Sequence, residues 1–530
     1  MRHVEIDRDW SCAHVIAVAL MAAVACVSSG CEAASDRTYD TVIRGGRIID
    51  PETGFDAVAN VAIEDGRIAA ISTTNLVGEE SIDATGLVVA PGFVDIHAHG
   101  QNIGDHRMQA MQGVTTVLEL ESGVLPIDAW YDAQAKLRLP LNYGASVGWT
   151  FARISVFSET EPEATPGYFQ DAQARSDWKQ EIASAEQLEK ILALVEQGLD
   201  AGGLGIGINA GYAPGNGQKE YYQLSELAAR RDVGTFTHVR YASVIEPRAS
   251  FEAVKELIAN AALTGALMHL CHINSTSMKD IESTLQLVTA AKEKGIPVTV
   301  GAYPWGAAST VIGAAMFTGD AWRERMGTSA HDFQLGFDRL TEAQLADYQA
   351  NAPGTFITWH FIDEANPEDL ALLDASITNP DVLIESDAVY WMTMDGKHIE
   401  NYAGDAWPLP DGAFTHPRSN GTFAKVLRSY VRERGLLSLN EAIRKMSLMP
   451  AQAIEAFVPQ MKTKGRLQVG MDADIVVFDP DTIAEQGTYA DPNHPAVGVA
   501  ALLVGGTAVV VDGELDTSAA PGKPIRREVK

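Results

Sequence analysis

Two histidines separated by a single residue, His97 and His99 in VDIHAHG, are the first side chains whose types and spacing could carry chemistry. They follow an apolar run that predicts a buried strand, and residues two apart on a strand point to the same face. Neutral imidazole is a good ligand for zinc and related divalent ions. The pair therefore indicates a metal site at the end of a strand.

Three more potential metal ligands stand where other apolar strand segments end. His238 closes TFTHV, His272 closes MHLCH and Asp387 closes VLIESD. His269, three residues before His272, is expected to point to the opposite face of its strand and to be structural. In a parallel barrel, residues at the carboxyl ends of the strands meet at the catalytic end. We therefore expect these donors to converge with the histidine pair.

Two acidic residues, Glu119 and Glu121, interrupt the apolar run of TTVLELESG. They share one face of the predicted strand, and a buried carboxylate without a partner is costly. They are therefore expected either to pair with buried bases or to face a cation. Glu121, at the mouth of the strand, is the predicted metal ligand, with Glu119 as its alternative or as a residue that orients another ligand.

The chain around these residues alternates apolar strand segments with segments of helical periodicity. The strand segments are GFVDIHAHG, GVTTVLELE, LNYGASVGWT, LGIGIN, GTFTHVR, ALMHLCHIN, IPVTVGAY and VLIESD. Eight strands with helices between them predict an α/β fold, a TIM-like (β/α)8 barrel over residues 91–463. A doubly wound open sheet is the alternative. The long connection at about 306–380 predicts an insertion that forms a lid or a pocket wall.

Short alternating strands with glycine-containing turns occur on both sides of the predicted barrel, at residues 40–90 and 464–515. These segments predict one small β-sandwich assembled from both termini. Residues 516–530 are expected to be a polar tail. The chain of 530 residues has 70 acidic and 40 basic residues, a formal net charge of -30. This charge argues against binding to nucleic acid or to anionic lipid head groups.

The N-terminus predicts an export signal over residues 1–30. Residues 15–27 form an apolar run that is too short to span a bilayer but suits the core of a signal peptide. The following SSGC resembles a bacterial lipoprotein signal, in which Cys31 is lipidated and becomes the mature N-terminus, followed by a linker at 31–39. The prediction is a periplasmic or membrane-anchored protein, with plain signal cleavage as the alternative. Only Cys271 lies outside this region, so a disulfide framework is not expected.

From Tyr39 to Leu515 the motifs and their order resemble the amidohydrolase superfamily, and within it the D-aminoacylases (N-acyl-D-amino-acid deacylases). The resemblance implies one or two divalent ions such as zinc, bound by His97, His99, His238, His272 and Asp387. Many two-metal members use a carboxylated lysine on strand four, where this chain has Asn209. D-Aminoacylases use a cysteine on strand two, where an ungapped comparison places Ser122. We therefore expect the neighbouring Glu121 to replace that cysteine.

Four further motifs, YAPG, THVR, GAYPWGAAST and HPR, also resemble D-aminoacylases. They imply that the substrate is bound by Tyr212, Arg240, Tyr303, Ser309 and Arg418. The planar guanidinium group of arginine matches a carboxylate with two parallel hydrogen bonds. One departure is Asn274, which occupies the place of a lysine that usually helps to bind the substrate carboxylate.

The implied activity is hydrolysis of an N-acyl-D-amino acid to a carboxylate and a free amino acid. Asp387 would act as general base and then as general acid, and Tyr303 and a metal ion would stabilise the oxyanion. A dipeptidase or cyclic-amide hydrolase on the same scaffold is the alternative, although such enzymes generally need the lysine on strand four. A non-catalytic binding lipoprotein is a third possibility, and the oligomeric state stays open.

Overall fold

The computed structural model describes residues 37–319, 321–399, 407 and 412–530. The predicted signal and Cys31 lie outside these residues. Within the described part of the chain, no helix is both long and apolar enough to cross a membrane. The described residues form a parallel barrel, a sheet built from both ends of the chain, and a small sheet inserted before the last barrel strand.

In chain order, the strands are β1 (Thr38–Asp50), β2 (Phe55–Glu64), β3 (Arg67–Ser72), β4 (Val77–Asp83), β5 (Val88–Pro91), β6 (Phe93–Asp95), β7 (Val114–Val124), β8 (Asn142–Gly148), β9 (Ile206–Asn209), β10 (Thr235–His238), β11 (Met268–Leu270), β12 (Val298–Ala302), β13 (Ala307–Val311), β14 (Phe333–Leu335), β15 (Asp338–Arg339), β16 (Phe356–His360), β17 (Val382–Ile384), β18 (Met392–Thr393), β19 (Ala413–Phe414), β20 (Ile475–Phe478), β21 (Val499–Val504), β22 (Thr507–Val511) and β23 (Glu514–Leu515).

The α-helices are α1 (Ile103–Met111), α2 (Ile127–Gln134), α3 (Trp149–Ser158), α4 (Pro166–Ala172), α5 (Asp177–Gln180), α6 (Ala185–Asp200), α7 (Gln218–Arg230), α8 (Ser250–Thr264), α9 (Ile273–Ser277), α10 (Ile281–Glu293), α11 (Trp322–Met326), α12 (Glu342–Asn351), α13 (Pro367–Thr378), α14 (Pro417–Lys425), α15 (Leu439–Ile443) and α16 (Met449–Ile454). Short 3₁₀ and π-helical turns extend or join several of them.

Strands β6 to β12 and β17 form an eight-stranded parallel sheet that curls into a barrel. Its two edge strands meet just beyond their ends, where Ala98 pairs with Ala388 and the Ser386 N–H donates to Asp95 Oδ1 at 3.1 Å. Seven of the eight predicted strand segments contain one of these strands and the remaining one, GVTTVLELE, overlaps β7, which confirms the predicted barrel. Their carboxyl ends therefore share one rim, as the predicted site requires.

The outer helices are amphipathic, and α6 illustrates why they form. Ser184 and Gln187 make reciprocal hydrogen bonds that cap its first turn. Its buried residues Ile191, Val195 and Leu199 recur every four positions, so that they lie on one face of the helix. Burial of this face against the barrel fixes the helix on the outside of the sheet.

The predicted insertion at about 306–380 contains two different parts. Strands β13, β16, β14 and β15 form a separate antiparallel sheet with its own apolar core, which includes Phe317, Phe333 and Trp359. The second part, α13, packs against α10 and β17 and is therefore an outer helix of the barrel. The added sheet stands beside the barrel rim, where it supplies one wall of the candidate site.

The two ends of the chain meet in one nine-stranded sheet, which confirms the prediction of a separate β-domain assembled from both termini. The long strand β1 bends at an irregularity beside Gly45, which has a φ of +68°, and pairs with β4 before the bend and with β5 after it. Strand β5 also pairs in antiparallel fashion with β20. This pairing joins the N-terminal strands to β20–β23, although the whole barrel lies between them in the sequence.

Residues 516–530, predicted as a polar tail, are docked against the barrel. The Ile525 N–H donates to Tyr143 O at 2.7 Å, and the Tyr131 hydroxyl donates to Ile525 O at 2.6 Å. The Ile525 side chain is 2% exposed and belongs to the main core. Because Tyr143 lies near the start of β8, this segment covers the end of the barrel opposite the metal ligands.

We expect Ile525→Ala to destabilise the protein by about 2–5 kcal/mol, because it removes a buried aliphatic side chain. Val529→Ala is the matched control, since Val529 is 57% exposed and its loss should change stability by no more than about 0.5 kcal/mol. Urea unfolding curves of the two variants measure the difference. Equal stability of the two variants would show that the docked segment does not contribute to the fold.

Candidate metal centre and substrate cavity

Four of the predicted histidine ligands surround the carboxylate of Glu121. Its Oε1 lies 2.8 Å from His272 Nε2 and 3.2 Å from His238 Nδ1. Its Oε2 lies 3.5 Å from the Nε2 atoms of both His97 and His99. Each oxygen of one carboxylate therefore faces two imidazoles, so this carboxylate and the four histidines would be able to hold divalent cations together.

Asp387 completes the group on the side of the histidine pair. Its Oδ1 lies 3.3 Å from His99 Nε2 and 3.5 Å from His97 Nε2. The Arg418 guanidinium donates to the same oxygen from Nη2 at 2.9 Å. All six predicted metal ligands thus converge on one small volume, although they are spread over almost 300 residues of the chain.

The ends of the barrel strands place these side chains. His238 is the last residue of β10 and is paired in register with Asn209, the last residue of β9. His272 and Asp387 follow the ends of β11 and β17 and have left-handed backbones, with φ values of 34° and 50°. Such φ values are strained for residues other than glycine and cluster at functional sites. They turn both side chains away from the strand alternation and into the centre.

The prediction that His269 points to the opposite face from His272 is wrong. His269 is paired with Phe236 in register, and Phe236 lies two residues before His238 on the same face of β10. His269 therefore points into the barrel, one layer below the metal ligands. His272 lies beyond Leu270, the last residue of β11. The rule that successive side chains of a strand point to opposite faces therefore does not apply to His272.

The two acids of β7 have different positions. Glu119 Oε2 lies 2.8 Å from His99 Nδ1, on the far side of that imidazole from Glu121. Glu119 Oε1 accepts hydrogen bonds from the N–H groups of Ser122 and Gly123. This geometry favours Glu121 as the metal ligand and Glu119 as the residue that orients His99. The Ser122 side chain does not take the central position.

The charges of the centre call for a cation. Burial by itself raises the pKa of Glu121, but the charge of His97 and hydrogen bonds from His238 and His272 lower that pKa well below its usual value. Burial lowers the pKa of His99, yet two neighbouring carboxylates raise it to about 10. The acids thus favour protonated forms of His97 and His99, whose pKa values are both raised, and a divalent ion supplies the same positive charge when these ligands give up their protons.

The donor set fits one or two divalent ions. His97, His272 and Glu121 offer ligand atoms within 4.8 Å of one another, and so do His97, His99 and Asp387. His238 Nε2 is buried and has no hydrogen-bond partner among the described residues. Imidazole nitrogen and carboxylate oxygen are the donors that catalytic zinc sites use. The side chains therefore meet the predicted requirement for a metal centre.

A cavity of about 610 Å³ opens onto this centre. Its floor is polar and includes His99, Glu121 and Asp387. Its walls are largely apolar and come from α2, from α3 and α4, and from the inserted sheet and its neighbours: Trp130, Phe151, Phe169, Met316, Trp359 and Tyr390. The Tyr212 hydroxyl bonds to Thr310 Oγ1 at 2.7 Å, so this predicted substrate residue forms part of the wall.

Three predicted substrate residues form a second polar group beside Asp387. The Arg418 guanidinium lies over the Tyr303 ring at 4.9 Å, and both residues are fully buried. Arg418 Nε and Nη1 and Ser309 Oγ have no hydrogen-bond partner in the described chain. Asn274 supports this group by donating from Nδ2 to Tyr303 O at 2.9 Å. Of the three predicted substrate residues, only Ser309 lines the cavity itself. Unsatisfied donors in a buried position are costly, which indicates a place for an anion.

Arg240 does not join this group, contrary to the sequence prediction. Its guanidinium makes two parallel hydrogen bonds to Glu256, at 2.9 and 2.8 Å, and also donates to Asn216 O. It does not line the cavity. Arg240 instead ties the loop after β9 to α8, and the motif THVR contributes only His238 to the site.

Two further residues contact the metal ligands and had no predicted role there. Asn209, at the position of the absent lysine, donates from Nδ2 to Glu121 Oε2 at 2.9 Å. Glu385 lies below the centre and bonds to two of the barrel histidines. The signal for Glu385 was present in VLIESD, because a second acid stands two residues before Asp387 in a buried strand, as Glu119 does before Glu121.

Comparison with known proteins agrees with this geometry. Residues 80–136 and 168–510 match the Amidohydrolase family. The chain belongs to the amidohydrolase family. An N-acyl-D-glutamate deacylase of Alcaligenes xylosoxydans xylosoxydans is 27% identical over 92% of this chain and 97% of its own length. A D-aminoacylase of the same organism is 27% identical over 89% of this chain and 94% of its own length. These similarities place the amidohydrolase in the D-aminoacylase branch.

A crystal structure of an N-acyl-D-glutamate deacylase from Bordetella bronchiseptica, complexed with zinc and a phosphonate inhibitor, superposes on this amidohydrolase with a TM-score of 0.72. It is 24% identical, and the match covers 92% of this chain and all of the other. A D-aminoacylase crystal structure gives the same TM-score at 22% identity. The amidohydrolase therefore has the fold of these enzymes over nearly its whole described length.

We expect Glu121→Gln to lose at least one bound ion per chain, because the amide has the same shape but no charge to share between two cations. Ser122→Ala is the matched control at the next residue and should keep the full complement. Inductively coupled plasma mass spectrometry of zinc-loaded, gel-filtered protein measures the stoichiometry. Equal metal content in both variants would remove Glu121 from the ligand set.

Proposed function

We propose that this amidohydrolase uses a divalent metal ion to hydrolyse the amide bond of N-acyl-D-amino acids, which yields a carboxylate and a free amino acid. The preference for the D configuration is supported by the relatives, which are named for D-amino-acid substrates. Zinc is the proposed ion, because the donors are imidazoles and carboxylates. The polar group of Arg418, Tyr303 and Ser309 beside Asp387 gives the main structural support for an N-acyl amino acid as substrate.

That group is the observation that carries the proposal. Arg418 Nε and Nη1 and Ser309 Oγ are buried donors without partners, and Arg418 Nη2 lies 2.9 Å from Asp387 Oδ1. A substrate carboxylate bound here satisfies these donors in the bidentate manner of arginine. The amide of an N-acyl amino acid is separated from its carboxylate by a single carbon atom. A carboxylate held by Arg418 therefore brings the amide next to Asp387.

A divalent ion held by the histidines and by Glu121 supplies Lewis-acid activation of water and of the amide carbonyl. Asp387 accepts the proton of the attacking water and returns it to the leaving nitrogen. Burial raises the pKa of Tyr303, so its hydroxyl keeps a proton at neutral pH. That hydroxyl can donate to the oxygen on which negative charge develops.

The cavity walls suit the rest of the substrate. The volume of about 610 Å³ lies within the range of roughly 300–1,000 Å³ that is typical of pockets for drug-sized ligands. Aromatic residues such as Phe151, Trp359 and Tyr390 line it. We therefore propose that it accepts an apolar amino-acid side chain together with an acyl group larger than acetyl.

The test compares three substrates with zinc-reconstituted protein: an N-acyl-D-methionine, its L enantiomer, and the D compound with its carboxylate converted to an amide. The D acid should be hydrolysed fastest. In Arg418→Met, kcat/KM for the acid should fall on the order of 10²-fold, since a buried charge pair contributes about 2–5 kcal/mol. The loss for the amide-capped compound should be smaller, because only the contact of Arg418 with Asp387 is removed there.

Hydrolysis of the capped compound as fast as of the acid, in the parent protein, would contradict the role of Arg418. Hydrolysis of cyclic amides in preference to linear ones would support the alternative function instead. That alternative is disfavoured because Asn209 occupies the end of β9 and donates to Glu121, where a carboxylated lysine would be needed.

We also propose that the enzyme is exported and tethered to a membrane by lipidation of Cys31. The apolar run at 15–27 and the following SSGC support this proposal, since their lengths and order suit a lipoprotein signal. The first strand, β1, begins at Thr38, seven residues after Cys31. A tether at that position would hold the folded enzyme close to the lipid surface.

Growth of a producing bacterium with radiolabelled palmitate tests the tether. We expect label in the parent protein and none in Cys31→Ala, which should also leave the membrane fraction. Cys26→Ala is the matched control within the same segment and should retain the label. Label in the Cys31→Ala protein, or none in the parent, would refute lipidation at this residue.

A further inference from the structure

The carboxylate of Glu385 lies directly beneath the metal centre and is fully buried. Its Oε1 accepts a hydrogen bond from the His272 N–H at 2.6 Å and lies 3.4 Å from His97 Nδ1. Its Oε2 lies 3.0 Å from His269 Nε2. One acid thus contacts two proposed metal ligands and the histidine in the layer below them.

The contact with His272 holds an unusual backbone in place. His272 has a φ of 34°, and this left-handed conformation is strained for a residue with a side chain. It directs the imidazole towards Glu121 Oε1, at 2.8 Å. A hydrogen bond from a backbone N–H to a carboxylate is charge-assisted and is therefore strong. Glu385 stabilises the conformation in which His272 can bind a cation.

The contact with His97 selects the nitrogen that binds metal. The distance of 3.4 Å between Glu385 Oε1 and His97 Nδ1 is longer than an ordinary hydrogen bond, so the interaction is mainly electrostatic. A negative charge beside Nδ1 favours the proton on that nitrogen. The lone pair of Nε2 is then left to face Glu121 and Asp387, as in the carboxylate–histidine–zinc arrangements of metalloenzymes.

The neighbouring strand β12 leaves room for this acid at Gly301. A Cβ atom at position 301 would lie 2.2 Å from Glu385 Cδ and 2.4 Å from its Oε1. The glycine is required by this close approach, because no other residue fits against the carboxylate. Gly301 is paired in register with Leu383, two residues before Glu385. A side chain at 301 would therefore reach the same space from the adjacent strand.

We propose that Glu385 is a positioning residue of the metal centre, which holds the backbone of His272 and the tautomer of His97 in the forms that bind zinc. The proposal rests on the proposed metal centre but not on the identity of the substrate. Glu385 does not contact the cavity and acts through the two histidines. Its effect should therefore appear in metal affinity and in kcat, with little change in KM.

The first test is zinc binding by Glu385→Gln, measured by competition with a chromogenic chelator, which needs no substrate. We expect the dissociation constant of zinc to rise about 10- to 100-fold, as is typical when the partner of a ligating histidine is lost. Glu364→Gln is the control, since Glu364 likewise contacts a basic side chain, that of Lys425, and accepts from a backbone N–H, but lies outside the centre. Equal zinc affinity in Glu385→Gln and the parent protein would overturn the proposal.

The second test moves the carboxylate to the other strand. Glu385→Gly combined with Gly301→Asp places an acid in the same space, and Glu385→Gly combined with Gly301→Asn places an uncharged group of the same size there. We expect the double variant with aspartate at 301 to bind zinc at least about tenfold more tightly than the double variant with asparagine at 301. The double variant with aspartate should also have the higher kcat, while the two double variants should have similar KM values. Equal zinc affinity of the two double variants would show that the charge near His97 and His272 has no positioning role.

Discussion

The structure around the barrel rim depends on one carboxylate, that of Glu121, which is buried among four imidazoles. Such an arrangement is stable only if positive charge accompanies it, because an isolated buried carboxylate carries a large desolvation penalty. The acids raise the pKa values of His97 and His99, and a divalent cation provides the same positive charge in a form that can also activate water. The need for a cation is thus inherent in the side chains that surround Glu121.

The barrel satisfies this requirement by geometry. Side chains from β6, β7, β10, β11 and β17 reach the same point because parallel strands end at one rim. Regular strand geometry alone would not suffice, since His272 and Asp387 adopt left-handed backbones to reach the centre. The strain of these residues is offset by nearby partners, namely Glu385 for His272 and Arg418 for Asp387. The site therefore combines a regular scaffold with a few irregular residues that are held in place individually.

The barrel and the metal ligands could be predicted because their signals are local. Apolar runs with β-branched residues mark the strands, and the polar residues that close those runs mark the rim. The direction of the His269 side chain and the role of Arg240 could not be predicted from such local signals. The direction of His269 depends on where β11 ends, and the role of Arg240 depends on its pairing with Glu256 in the following helix, α8. The exact end of a strand and the partner of a buried arginine are set by packing in three dimensions, which a single sequence does not display.

The pairing of β5 with β20 affects the chain during its synthesis and folding. Strand β5 precedes the barrel and its partner follows it, so the growing chain exposes an unpaired strand edge until almost all of its residues have been made. Exposed edges are prone to associate with other chains. A contact so distant in sequence also forms slowly. The sheet can therefore close only after the chain beyond Ile475 is available, and until then one edge of β5 is open to other chains.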